Sequence, residues 1–90
     1  NTYVSALPNF VRPNWKLPSY LMDRDLKCRI RVFIASNGKI LKAQIYESSG
    51  ENEFDQKALA SVKQVKSFPK PEREILARVA AGDVILGFPL

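Results

Sequence analysis

The stretch "LKCRIRVFIA" at 26–35 alternates apolar and polar side chains and constrains the fold more than any other part of the chain. Read as a strand, it puts Leu26, Cys28, Ile30, Val32 and Ile34 on one side and Lys27, Arg29, Arg31 and Phe33 on the other. "SNGK" follows, and Asn37-Gly38 is the favoured pair for a two-residue type I′ turn because both positions need positive φ. Such a turn sets Ile34 opposite Leu41, Val32 opposite Ala43, Ile30 opposite Ile45 and Cys28 opposite Glu47, with Arg29 across from Tyr46 and Arg31 from Gln44. A slip by one residue would send Leu41, Ala43 and Ile45 to the charged side, so pattern and turn chemistry specify a hairpin over 26–48.

The remaining segments supply cover for that hairpin. "SSGEN" is turn composition, and a helix over 52–67 follows, with Asn52 as N-cap, Asp55 answering it as in a capping box, and Glu53 and Asp55 at the positive end of the dipole. Phe54, Ala58, Leu59, Val62 and Val65 recur at helical spacing, and "FPKP" stops the run. A short helix over 71–81 opens at Pro71 with Ile75, Leu76, Val79 and Ala80 on its apolar side, and a strand over 83–88 follows Gly82. Residues 1–25 hold Tyr3, Val4, Leu7, Phe10, Val11 and Trp15 among prolines, which suits helical turns laid over the apolar face. Trp15 reads as a core plug rather than an exposed recognition residue. The expectation is a single α+β domain over 1–90: two layers, with a three-stranded antiparallel sheet (hairpin plus C-terminal edge strand) and helices packed on one face.

Composition removes most reaction chemistry. The chain has no His and one Cys, Cys28, which excludes His-dependent triads, His-metal sites and an internal disulfide, and makes Cys28 a small core hydrophobe. Ser48 and Ser49 have no base to activate them, Gly50 lacks the Lys and Ser/Thr of a phosphate loop, and Glu47, Glu51, Glu53 and Asp55 do not have calcium-loop spacing. Helix-dipole charges account for these carboxylates better than a buried acid pair. No catalytic residue, metal or cofactor is expected, and the chain reads as a non-enzyme. The net charge of +5 permits nucleic acid or an acidic partner, but the lysines are dispersed as on a solvated helix face. Arg29, Arg31, Phe33 and Tyr46 on the exposed face form the alternative reading, a small basic nucleic-acid-binding module. The strand at 83–88 must end on an edge of so small a sheet, and an unpaired edge is a ready site for an added strand or a second copy.

"VRPNWKLP", the hairpin, "SSGENEFDQKALASVKQVKSFPKP" and the closing "VILGFPL" together resemble the C-terminal, periplasmic domain of the TonB/TolA energy-transducer family. The markers are Asn37-Gly38, Ser48-Ser49-Gly50, Phe54-Asp55, Ala58-Leu59 and Phe68-Pro69 with Pro71, in combination. The resemblance implies a periplasmic domain of a Gram-negative cell envelope, tethered to the inner membrane by an anchor outside this chain, which does not open on Met. It implies coupling of an inner-membrane proton-motive-force motor, reached through a further N-terminal region, to a partner gripped by β-strand addition. That partner would be the box peptide of an outer-membrane transporter or a Tol-Pal-type periplasmic protein, not nucleic acid. The edge carried over is Asp83, Val84, Ile85, Leu86, Gly87 and Phe88. Asn14-Trp15 with Pro18 is nearer the TolA opening, whereas the half-disulfide that TolA-like chains carry near Cys28 has no partner here, so both branches stay open.

Overall fold

The alternation at 26–35 becomes the central strand. In the computed structural model, which describes residues 2–90, β1 spans Cys28–Ile34, with Cys28, Ile30, Val32 and Ile34 all buried. β2 (Ile40–Glu47) and β3 (Val84–Phe88) pair antiparallel on either side of it, in the order β2-β1-β3. Short helices α1 (Thr2–Ala6), α2 (Pro8–Val11) and α3 (Ser19–Met22) precede the hairpin, with a 3-10 turn at Arg12–Asn14. α4 (Asn52–Lys63) follows it, and a 3-10 turn at Arg73–Ile75 leads into α5 (Leu76–Ala80) and then β3. The chain is an α+β fold built on a three-stranded antiparallel sheet, as expected; Asn1 lies outside the described residues.

The hairpin register holds in its middle and shifts at both ends. Ile30 faces Ile45, Arg31 faces Gln44 and Val32 faces Ala43 as the pattern predicts, but Ile34 faces Ile40 instead of Leu41, and Arg29 faces Glu47 instead of Tyr46. The expected pairing of Cys28 with Glu47 is displaced by that second shift. The turn is the cause of the first. It is not type I′: among the described residues only glycines have positive φ, and Gly38 (φ +90) is the one at this tip. The Gly38 amide donates to Ala35 O at 2.9 Å and the Ala35 amide to Lys39 O at 2.8 Å, giving a three-residue loop closed by a left-handed glycine. The extra residue offsets β2, and Leu41 is left 62% exposed.

Gly38 is needed for a second reason. The Phe68 amide donates to Gly38 O at 2.8 Å, and a β-carbon on Gly38 would stand 2.1 Å from the Phe68 carbonyl oxygen. Phe68 is buried and meets Phe10 edge-on at 6.3 Å, and the Tyr3 hydroxyl donates to Pro69 O at 2.7 Å. The "FPKP" segment therefore docks on the hairpin tip and the N-terminal turns instead of prolonging the helix.

α4 ends at Lys63, not 67, because the Gln64 amide closes on Ala60 O and the Val65 amide on Val62 O, after which the chain leaves toward the hairpin tip. The expected 71–81 helix starts only at Arg73 and holds α geometry from Leu76 to Ala80; Ala80 faces solvent. At the other end of α4 the cap differs too. Glu51 holds the N-cap position and its carbonyl accepts from the Asp55 amide, so Asn52 is already inside the helix. Phe54, Ala58 and Val62 bury against the sheet together with Leu7, Val11 and Leu21 from the N-terminal turns.

Candidate partner-binding edge

β3 is fixed to the core by alternate side chains and open along one side. Val84, Leu86 and Phe88 are buried, and their β1 partners are Val32, Ile30 and Cys28. Ile85, half-buried, and Gly87, exposed, lie opposite Arg31 and Arg29 on the outer face. The ladder runs without a register shift, and β1 is the only strand beside β3 among the described residues. Asp83, just ahead of the strand, is exposed; its carboxylate sits 3.5 Å from Arg78 Nε and its amide donates to Arg78 O at 3.0 Å. Gly87 is not needed for space, because a β-carbon there would meet nothing within 4 Å.

Each end of β3 opens on a hollow. One, of about 350 Å³, is lined by Val4, Ser5, Ile75, Arg78, Val79 and Asp83. The other, of about 250 Å³, is mainly apolar and includes Trp15, Leu21, Met22, Phe54 and Leu90, with Arg24 at its rim. Trp15 is a plug, as its setting predicts: its ring lies 5.0 Å from Phe88 and 5.6 Å from Phe54, so it ties the end of β3 to α4. Sequence reasoning missed both hollows, since each collects residues from the two ends of the chain.

The other candidates resolve into internal contacts. On the outer face the Arg31 guanidinium lies 4.9 Å over the Tyr46 ring, Lys42 Nζ lies 5.7 Å over Phe33, and Arg29 Nε is 3.5 Å from a Glu47 oxygen. Phe33 is also covered by the turn into β3: a β-carbon on Gly82 would stand 2.6 Å from its ring. Each of these rings thus has a cation over it, although Tyr46 remains 52% exposed. At the β2 to α4 corner, Asp55 is buried, contrary to the reading of a solvated dipole charge. Its carboxylate accepts from the Ser48 hydroxyl, from the Ser49 amide at 3.0 Å and from the Ser49 hydroxyl at 2.7 Å. Burial pushes this carboxyl up, but the bonds from Ser48 and Ser49 prevail and hold it below its ordinary value. Burial, then the Asp55 charge, pushes the neighbouring Cys28 thiol up to about 12, which keeps it protonated and inert. The signal for this buried acid was the Ser-Ser pair, seven and six residues upstream. Among the described residues no acidic, Cys or His group of three could hold a metal, and no helix is long and apolar enough to cross a membrane.

The fold and its open, core-anchored edge define a class: small α+β domains whose sheet leaves the outer edge of its last strand without a partner. The family described as TonB C terminal matches residues 1–80, and the chain belongs to that family. The matched span stops short of β3. Among solved structures, TolAIII bound to a peptide derived from the N-terminus of TolB superposes with a TM-score of 0.81 at 21% identity, covering 100% of this chain and 74% of that one. Comparison with curated protein sequences returns no match.

Proposed function

We propose that this domain is a non-enzymatic adaptor of a Gram-negative cell envelope that captures an extended peptide by adding it as a fourth strand along β3. The observation that carries the reading is the geometry of that strand: Val84, Leu86 and Phe88 are locked in the core while the outer side of β3 has no partner strand among the described residues. A strand held this way presents its free N–H and C=O groups at fixed spacing, so an incoming chain pays little to find its register. Family membership supports a periplasmic location with tethering to the inner membrane through a further N-terminal region, and coupling to a motor there. The TolAIII relative was solved with a TolB-derived peptide, which favours a Tol-Pal-type periplasmic partner over a transporter box.

Titration with the peptide from the N-terminus of TolB, followed by amide NMR, tests the proposal. Shifts should concentrate at Val84, Ile85, Leu86, Gly87 and Phe88 and at Asp83. Proline at 85 and, in a separate variant, at 86 should weaken binding for whichever amide points outward. Unchanged binding in both variants, with the dispersed spectrum of a folded domain retained, would remove β3 as the docking strand.

A further inference from the structure

Nothing within the described residues requires glycine at position 87. Gly87 is exposed, its φ is not positive, and a β-carbon there would meet nothing within 4 Å. A glycine inside a strand gives up backbone entropy and side-chain packing, and it often marks a place where a ligand comes close. On the outer face of the sheet it leaves an open lane. Exposed Arg29 stands directly across from Gly87 on β1, so no β3 side chain separates it from the free side of that strand. Arg31 faces Ile85 instead, whose half-buried side chain stands between it and the edge.

The charge beside this lane is unbalanced. Arg29 Nε is 3.5 Å from a Glu47 oxygen, an exposed and therefore weak pair on the β2 side. Arg31 makes no ion pair among the described residues; it lies over Tyr46, and its buried Nε has no hydrogen-bond partner. β3 itself contains no charge, and Asp83 ahead of it is paired with Arg78. Neighbouring strands lie about 4.7–4.9 Å apart, so a strand added to β3 would run about 9.5 Å from β1. An arginine and a carboxylate side chain together close that span when nothing stands between them.

Resting on the strand addition proposed for β3, we infer that the captured peptide carries an aspartate or glutamate paired with Gly87, which Arg29 binds by reaching over the glycine. Arg31 adds to the positive field around that carboxylate. Gly87 and Arg29 thus read the sequence of the ligand, which the backbone groups of β3 do not. An aromatic ring laid on the glycine is the weaker match, because it leaves Glu47 as the one acid for two guanidinia.

The probe is the peptide from the N-terminus of TolB, with each residue replaced in turn by Glu and by Gln and the pairing read from cross-strand amide contacts by NMR. At the position paired with Gly87, Glu should bind about three- to fivefold more tightly than Gln, the size of an exposed ion pair. That ratio should fall toward one in Arg29→Gln and in Gly87→Val, whose side chain would close the lane. The inference is overturned if Glu and Gln bind alike there, if the preference survives Arg29→Gln, or if Phe or Trp is preferred to Glu. An equal preference for Glu at every position, fading with salt, would reduce it to the attraction of the net charge and overturn it too. In all these outcomes the peptide still pairs with β3 and strand addition stands. A peptide that pairs nowhere along β3 removes strand addition itself, and this inference with it.

Discussion

The two outer strands flank the same central strand and are built in opposite ways. β3 buries three of its five residues, contains no charge and pairs with β1 in uninterrupted register. β2 has no fully buried residue, carries lysine and glutamate, and shifts register near both ends. The strand most committed to the core thus has the straighter backbone and the bare edge, while the loosely held strand relies on side-chain charge. In so small a sheet, regularity of the backbone at an edge is secured from the inside face. Core packing and edge geometry are then the same property at β3 and separate properties at β2.

Substitutions can break that contrast in order of expected effect. Phe88→Ala on β3 should cost about 3–5 kcal/mol, as should Phe54→Ala, the α4 side chain that shares Trp15 with it; urea denaturation would read both. A loss well under about 1 kcal/mol for Phe88→Ala would mean that β3 is not anchored as described. Gly38→Ala at the tip joining β2 to β1 should cost about 2–4 kcal/mol, combining the strained φ with a clash against backbone that has no room to move. Asp55→Ala should cost about 2–3 kcal/mol through the bonds from Ser48 and Ser49. Because the folded protein holds that carboxyl below its unfolded value of about 3.9, its contribution is complete above that pH and is lost as pH falls below it through the folded value. The stability difference between wild type and Asp55→Ala should therefore shrink on acidification from pH 5 toward 2, and a constant difference would assign Asp55 another role. Leu41→Ala on β2, smallest of all, should stay within about 0.5 kcal/mol; a larger loss would show that β2 is anchored after all and dissolve the contrast.

Legibility in the sequence followed the same division. The buried face of β1, the pairs from Ile30 to Val32 and the helix face of Phe54, Ala58 and Val62 were readable because they depend on local periodicity. The hairpin tip departs from the type I′ turn that Asn37-Gly38 predicts, and Gly38 also answers to Phe68, thirty residues further on, which local turn chemistry does not include. Asp55 departs from a solvated dipole charge for a related reason: its acceptor role is set by Ser48 and Ser49 folding back over it, and that geometry exists only once the corner has formed. The edge position of β3 was inferable from having so few strands, but the hollows at its ends depend on which segments tertiary packing brings side by side.

The order β2-β1-β3 has a consequence for biosynthesis. Of the strands, β3 leaves the ribosome last, yet its place beside β1 is next to the first strand made. Until it arrives, β1 has an open flank, and Ile30, Val32 and Cys28 lack the neighbours that complete their burial. The segment that finishes the core is also the one whose edge we propose as the docking strand, so on that reading an incompletely synthesised or truncated domain has no such edge to offer, and binding competence is coupled to completion of the fold.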